Sequence, residues 1–344
     1  MSDLPGVDPL IDLAQRQKTA VQRRSDDSLR RIVSTYTTLV KGLQDKIDAL
    51  MLEIEASDDE ITPGQAVKLV RYNELIVQAE EQLQRYTAWL QVELSQVQGT
   101  EIAHANNDAQ ALLRASSTVP GVDPATPGTA GVDVMFNRLP VEAIERIVDY
   151  TAPGSPLDQR LQMLAPGVSE RVADAFVQGL AMGRNPRVIA RQITDAFGIG
   201  LTESMKLSRT LQIWTYREVT RANYAVNTDV LEGWYWMSAL DPGRTCMSCV
   251  NMHGTFHTMD ETLNDHYNGL CTMLPAIKGR ESRLGTGEDW FASQPESVQR
   301  TMLGNKYDAW SAGDVQISQM TTTHSDDIFG VMRTEASLKN LTGN

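Results

Sequence analysis

Long apolar runs are missing from this chain of 344 residues. No run reaches the roughly 18 consecutive apolar residues that suggest a membrane-spanning helix. Residues 1–12 carry acids and prolines where a signal peptide needs basic residues and an apolar core. We therefore expect a soluble protein that is not secreted. With 41% hydrophobic residues, the chain is long enough to bury the cores of two domains of ordinary size.

Positive charge is scarce. Lysine and arginine total 31 against 44 aspartates and glutamates, which gives a net charge of −13 and argues against a surface built to coat nucleic acid. Two segments differ from this average: 16–31 has six basic residues against two acidic ones, and 184–221 has seven against three. Solvated helix faces with intrahelical ion pairs are one interpretation, and local contact with DNA phosphates is the other.

Cysteine is rarer still, with three residues that all fall between positions 246 and 271. An odd number of cysteines cannot form a complete set of disulfides. Their clustering in one short window is typical of a metal site in a reducing compartment.

Apolar stripes predict two long helices in the N-terminal part. Over 25–56, with Ser25 or Asp26 as the cap, apolar residues recur every three or four positions, as in a heptad pattern. A second helix is predicted from Thr62 to about Val97. The first stripe consists of Ile32, Tyr36, Leu39, Leu43, Ile47, Leu50 and Ile54.

The start of the second helix is well marked by Thr62 as the N-cap, Pro63 at the first helical position and Gln65 as a capping-box partner. A loop of about six residues between two such helices predicts an antiparallel hairpin. We interpret the stripes as the core of a closed hairpin or coiled coil, and a docking arm for another subunit is the alternative.

A segment rich in proline and glycine, 116–133, predicts a linker. After it, helical patterns alternate with turns until an aromatic run at 233–238 predicts a strand. We therefore predict a mostly α (α+β) fold class, with a small β region and a loop around the three cysteines that zinc would stabilise. The expected organisation is an arm at 1–24, a helical hairpin at 25–115, the linker, a domain at 134–312 and a tail at 313–344. The further predicted helices are 139–150, 156–164, 168–182, 186–197, 202–231, 292–303, 306–312 and a short one near 333–341.

The cysteine window also holds three of the five histidines. Cys246 and Cys249 are spaced as Cys-x-x-Cys, which lets two thiolates take two corners of a tetrahedron around zinc. Cys271 is the remaining thiol, and His266 is the natural fourth ligand, with His253 as the alternative. A closed zinc site of three cysteines and one histidine would be structural, because no coordination position stays open for water.

Three other interpretations of the window stay open. The cysteines could be reduced, buried thiols without a metal. A redox pair is less favoured, since that chemistry uses Cys-x-x-Cys at a helix N-terminus after a strand, whereas Cys249 is followed by Val-Asn-Met-His-Gly. A Cys–His nucleophile pair lacks recognisable oxyanion donors and a third, orienting group.

Several short motifs follow one another along the C-terminal half. In chain order they are Tyr216-Arg217-Glu218 with Asn223, the aromatic run Trp234–Met237, Asp241 with Arg244-Thr245-Cys246, Gly254-Thr255-Phe256, His266 to Cys271, and Pro275. This order resembles the Mu F-like minor capsid family of phage head morphogenesis proteins. That family shows an Arg-Thr-Glu-like motif and an asparagine before a strand, then Asp-x-x-x-Thr, Gly-x-x-Phe and His-Pro-x-Cys-Arg-Cys elements and a proline. The similarity extends over residues 170–312.

The chain departs from the family pattern at three positions: Tyr267 replaces its proline, Gly269 its inner cysteine and Leu270 its arginine. The resemblance implies a virion protein of few copies that lies inside the head near the portal. It also implies contacts with the portal or the major capsid protein, assembly in the host cytoplasm, and a part in DNA packaging or ejection. Local contact with packaged DNA and oligomerisation are compatible with it, and no catalytic site is expected.

Two enzymes are the competing hypotheses. The stretch Asp265-His266-Tyr267-Asn268 beside a Cys-x-x-Cys has a faint likeness to metal-dependent nucleases of the His-Asn-His type, although a second Cys-x-x-Cys-like pair is not evident. An ADP-ribosyl-transferring toxin lacks a convincing acidic pair and nucleotide cradle.

Overall fold

The computed structural model describes residues 8–56, 62, 65, 69–117, 137 and 139–343. The chain is mostly helical, with a long N-terminal helical region and small sheets in its C-terminal part, as predicted. It forms two compact units: the first comprises Met1–Arg24, Gly99–Ile147 and Gln212–Asn344, and the second Ser25–Gln98 and Val148–Leu211. These units cut across the predicted domain boundaries, because the long helices each contribute residues to both.

Helices α1 (Pro9–Glu55) and α2 (Val70–Ser117) run antiparallel. The ion pairs between them join residues placed symmetrically about their connection, as in a hairpin. These pairs are Glu53 with Arg71 and Arg31 with Glu93 in the second unit, and Arg24 with Glu101 in the first.

The predicted stripe does face the interior of the hairpin, since Ile32, Leu43, Ile47 and Leu50 are fully buried. Both helices are longer than predicted. Residues 9–24, expected to form an arm, are the first part of α1, and Ser25 is a buried helical residue, not a cap. The stripe continues into this part as Leu10, Ala14 and Val21, whose wide spacing and small middle member hid it in the sequence.

The predicted start of the second helix is partly described. Thr62 donates from its backbone N and its hydroxyl to Gln65 Oε1, at 3.0 and 2.7 Å, which is one half of the predicted capping box. Pro63 lies outside the described residues, and so does the predicted linker from residue 118 onward. Residues 116 and 117 belong to α2.

Helix α6 (Pro186–Ala225) is a single helix of 40 residues where the sequence predicted two, at 186–197 and 202–231. A Cβ on Gly200 would lie 2.5 Å from the Tyr36 hydroxyl, so this glycine permits close packing and does not end the helix. Tyr36 donates to the Phe197 carbonyl at 2.7 Å. The helices before it are α3 (Val141–Val148), followed by a 3-10 turn (Asp149–Thr151), α4 (Pro156–Gln162) and α5 (Leu164–Ala181); α6 covers Pro186–Ala225.

The hairpin core yields the first testable expectation. Leu43→Ala should lower the free energy of unfolding by about 2–5 kcal/mol, because it removes a fully buried side chain and leaves a cavity. Leu52→Ala is the matched control on the same helix, since Leu52 is 65% exposed and should change stability by less than about 0.5 kcal/mol. Urea unfolding of the two variants measures both values. Equal losses would contradict the buried stripe.

The β region forms around an aromatic strand of the first unit, as predicted. Strand β1 (Leu231–Met237) lies between β2 (Phe256–His257) and β3 (Thr272–Ile277), and both neighbours are antiparallel to it. Trp234 and Trp236 on β1 are fully buried and form the centre of the unit's core with residues of both hairpin helices. The short helix α7 (Met247–Met252) connects β1 to β2.

The C-terminal part differs from its prediction. The expected polar tail contains a β-hairpin, β4 (Thr321–Asp326) with β5 (Gly330–Glu335), where no strand was predicted. The sequence signal was weak because this threonine-rich run does not alternate apolar and polar residues. The other elements are α8 (Gly287–Ala292), α9 (Glu296–Leu303), a 3-10 turn (Gly304–Lys306), α10 (Tyr307–Ser311), a 3-10 turn (Ile317–Gln319) and α11 (Leu338–Thr342). In the described ranges, no helix combines the length and the apolarity that crossing a bilayer demands.

Candidate metal centre

Cys246 and Cys249 lie at the start of α7. Cys246 is the N-cap, and its Sγ accepts a hydrogen bond from the backbone N of Cys249 at 3.4 Å. The sequence-based premise that this Cys-x-x-Cys does not begin a helix after a strand is therefore wrong. The premise failed because a sulfur cap and a six-residue helix leave little signal in the sequence.

The loop that precedes β3 brings His266 and Cys271 to the same place. The Sγ of Cys249 lies 3.4 Å from His266 Nε2 and 3.4 Å from Cys271 Sγ. The donor atoms of Cys246, Cys249 and His266 all lie within 4.8 Å of one another. The four side chains predicted as ligands thus gather around Cys249, which contacts Cys271 directly, although Cys271 is not a member of the group that Cys246, Cys249 and His266 form.

Asp265 is a further acidic member of this group. Its Oδ1 lies 3.5 Å from Cys249 Sγ, and Cys249, Asp265 and Cys271 form a second set of possible metal ligands. The carboxylate is only 2% exposed and forms a buried ion pair with Arg217 of α6 at 3.1 Å. Arg217 also donates to the carbonyls of Cys271, at 2.8 Å, and Gly269, at 3.1 Å.

The sequence did not suggest Asp265 as a possible ligand or Arg217 as its charged partner, although Asp265 is adjacent to the predicted ligand His266. The place of Gly269 is also explained by Asp265. A Cβ at residue 269 would lie 2.1 Å from Asp265 Oδ2, so the carboxylate occupies the space that a side chain would need. The buried carboxylate therefore leaves no room for the cysteine that the family pattern has at this position.

His253, the alternative fourth ligand, lies outside both sets of possible ligands. Its Nδ1 accepts a hydrogen bond from the backbone N of Ser238 at 3.0 Å. Burial lowers the pKa of His253 to about 4, so the ring is neutral at physiological pH. Ser238 also contacts the cysteines: its hydroxyl donates to the Cys249 carbonyl at 2.6 Å and lies 3.4 Å from Cys271 Sγ. Between the two candidate histidines, the geometry favours His266.

The electrostatics of the site favour a charged pair. The hydrogen bond with Cys249 is the main cause that lowers the pKa of Cys246 to about 5, with His266 acting in the same direction and burial against it. Burial alone would lower the pKa of His266, but Cys246 and Asp265 raise that pKa to about 10. Near neutral pH the pair is a thiolate and an imidazolium, and binding of a metal would release the imidazole proton.

Two basic side chains balance the negative charge. Burial would raise the pKa of Asp265, but Arg217 and then His266 lower it below its ordinary value, so the carboxylate is ionised. On α1, burial lowers the pKa of Lys18, while the charges of Cys271, Cys249 and Asp265 act in the opposite direction. Lys18 therefore lies close enough to the cluster to respond to its charge, although the sequence grouped it with a basic segment.

Three thiols and an imidazole are donor types that suit a thiophilic metal ion. Zinc bonds of about 2.3 Å to sulfur and 2.0–2.1 Å to nitrogen place neighbouring tetrahedral donors roughly 3.5–3.8 Å apart. The Sγ–Sγ and Sγ–Nε2 separations of 3.4 Å are close to these values. His266 Nδ1 donates to the Tyr267 carbonyl at 2.8 Å, which fixes the ring with Nε2 directed at Cys249, as is usual for metal-binding histidines.

The β4–β5 hairpin packs beside this cluster. Glu335 of β5 accepts a hydrogen bond from the backbone N of Met247 at 2.7 Å, and the Tyr267 hydroxyl donates to Asp326 of β4 at 2.5 Å. Between the hairpin and the cluster is an open cleft of about 350 Å³. Its lining residues are Cys246, His266, Tyr267, His324, Thr334 and Glu335.

Comparisons with known proteins identify no relative. No protein-family model matches the chain, and no curated protein and no solved structure matches it. The resemblance to the Mu F-like minor capsid family therefore stays a prediction.

Proposed function

We propose that this chain is a structural minor head protein of a tailed phage, similar to the Mu F-like family, which acts in head assembly near the portal. One observation supports this proposal most directly. Arg217, in the helical motif of the resemblance, donates to Asp265, Gly269 and Cys271 in the Cys/His motif, 48 to 54 residues further along the chain. Motifs that are separate in the sequence thus form a single buried arrangement.

Zinc is the ion that we propose for the site, held by Cys246, Cys249, His266 and Cys271. Three thiolates and an imidazole suit zinc better than the oxygen-preferring magnesium or calcium. The four residues come from the start of α7 and from the loop before β3, so the ion would hold these two segments together. A closed set of four ligands makes this role structural, which agrees with a protein that acts through contacts.

The hairpin supports a role in protein contacts. In the second unit, α1 and α2 leave four large apolar side chains more than half exposed, although most apolar residues of the stripes are buried. A patch formed by such residues would be a surface for contact with another chain. The residues are Leu52, Val70, Val77 and Val92.

We propose only a minor role for contact with DNA, because many basic side chains are already paired with carboxylates. Many of the arginines and lysines in the two basic segments form ion pairs with carboxylates of the same chain, which leaves less free charge for phosphate. Local contact with packaged DNA and ejection with it stay predictions. The pairs are Arg16–Asp12, Arg24–Glu101, Arg30–Asp27, Arg31–Glu93, Lys206–Glu203, Arg209–Asp26, Arg217–Asp265 and Arg221–Glu218.

Assembly of heads in the presence of this chain tests the proposal. When the chain is produced together with the portal and major capsid proteins of the same phage, we expect it to co-sediment with portal-containing heads. Heads made with a portal-deficient set are the control and should carry much less of the chain. Quantitative mass spectrometry of the gradient fractions gives the copy number.

The nuclease hypothesis is the second candidate, and the open cleft beside the cluster is the observation in its favour. The purified protein is incubated with linear DNA and Mg²⁺, Mn²⁺ or Zn²⁺. We expect no cleavage above that of a His266→Ala variant. Cleavage by the wild-type chain that this variant abolishes, together with failure to join heads, would replace the structural assignment by an enzymatic one.

A further inference from the structure

The metal centre has one buried face and one open face. Cys249, Cys271 and Asp265 are at most 5% exposed, and Arg217 covers them from α6. On the other side, Cys246 is half-buried and the side chain of His266 is 28% exposed, and both line the cleft under the β4–β5 hairpin. An ion could reach the cluster from solvent through this cleft, whereas the opposite side is closed by protein.

Most polar groups in the cleft are already engaged. Both oxygens of Glu335 accept hydrogen bonds, one from Met247 N and one from Lys306, and the Tyr267 hydroxyl donates to Asp326. His324, on β4, differs from them. Its side chain is exposed, and within the described part of the chain no hydrogen bond holds the imidazole.

We propose that this cleft is the route of metal exchange, and that His324 is an auxiliary ligand that binds the ion in transit. A hydrated divalent ion must exchange its waters for protein donors, and an imidazole on the path can replace one water before the ion reaches Cys246 and His266. His324 is not among the groups of possible resident ligands. The inference rests on the proposed zinc centre.

A residue that contacts the ion only in transit has a distinctive kinetic effect. It stabilises the transition state shared by binding and release, so its loss slows both rates by the same factor and leaves the dissociation constant unchanged. A resident ligand differs, because its loss weakens the complex and speeds release. The two roles are therefore separated by measuring rates and affinity together.

The experiment uses the full-length chain loaded with zinc, with one ion per chain confirmed by metal analysis before any rate is measured. Release is followed by absorbance after mixing with the chelator 4-(2-pyridylazo)resorcinol, and loading by mixing the metal-free chain with zinc. In His324→Ala we expect both rates to fall by on the order of tenfold, which corresponds to about 1.4 kcal/mol of lost transition-state stabilisation. The dissociation constant should not change.

Two further variants complete the test. His104→Ala removes an exposed histidine of α2 and should leave both rates at the wild-type value. Thr334→Tyr keeps His324 but narrows the cleft, and it should also slow loading and release. Wild-type rates in both His324→Ala and Thr334→Tyr would overturn the exchange route. Faster release with weaker binding in His324→Ala would overturn the transit role. A chain that binds no zinc at all would instead contradict the metal centre.

Discussion

Replacing both Cys246 and Cys249 with serine is expected to abolish zinc binding and to unfold the segment around α7. Wild-type protein should contain about one zinc per chain, and the double variant none. Structural zinc contributes about 10–16 kcal/mol to folding in small domains at neutral pH, so even a fraction of this value should lower the melting temperature of the first unit by more than about 10 °C. Metal analysis and differential scanning calorimetry measure the two effects.

A chelator is an independent way to produce the metal-free protein. Wild-type protein treated with a strong zinc chelator should melt at the temperature of the double variant, and zinc, but not magnesium, should restore the original melting temperature. The double variant should not respond to either ion. Wild-type protein that contains no zinc as purified, and whose melting temperature responds neither to the chelator nor to added zinc, would contradict the site and favour three reduced, buried thiols.

Arg217→Met is expected to cost about 3–5 kcal/mol of folding free energy, because it leaves the Asp265 carboxylate buried without its charged partner. Arg217 and Asp265 are 5% and 2% exposed, so water cannot replace the lost interaction. The substitution also removes the donor to the carbonyls of Gly269 and Cys271, on the loop that carries His266. Urea unfolding measures the loss, and zinc affinity should fall with it.

Two variants show whether charge is the cause. Adding Asp265→Asn to Arg217→Met removes the uncompensated charge, so the double variant should recover part of the stability that Arg217→Met loses. Arg16→Met is the matched control, because Arg16 pairs with Asp12 four residues away on an exposed face and should contribute at most about 1 kcal/mol. Equal losses for Arg217→Met and Arg16→Met would contradict the importance of the buried pair.

The N-terminal hairpin could be predicted because its determinants are local. Apolar residues at helical spacing are enough to indicate the helix and its buried face, and Ile32, Leu43 and Leu50 are buried as predicted. The ends of the helices were predicted less well. Alanines such as Ala105 and Ala109 are fully buried in α2, but such small residues add little to an apolar pattern.

The C-terminal elements show the limits of local patterns. The aromatic run predicted β1 correctly, since bulky residues bounded by turn residues are typical of a buried strand. The hairpin at 321–335 was missed because its contacts are long-range: Thr321 accepts a hydrogen bond from Asn251, and Glu335 accepts one from the backbone N of Met247. The sequence predicted two helices on either side of Gly200, whereas α6 continues through it and Tyr36, 164 residues away, packs against this glycine.

By itself, the sequence determined the helical class of the chain and the candidate ligands Cys246, Cys249 and Cys271, with His266 or His253 as the fourth, because spacing and residue chemistry are properties of the chain alone. Only the tertiary structure decided that His266 and not His253 faces the cysteines, that Arg217 neutralises Asp265 beside them, and that one side of the cluster opens to His324. The physical reason is distance along the chain. Burial and charge depend on neighbours that are tens of residues away, and no local pattern records which of them folding brings together.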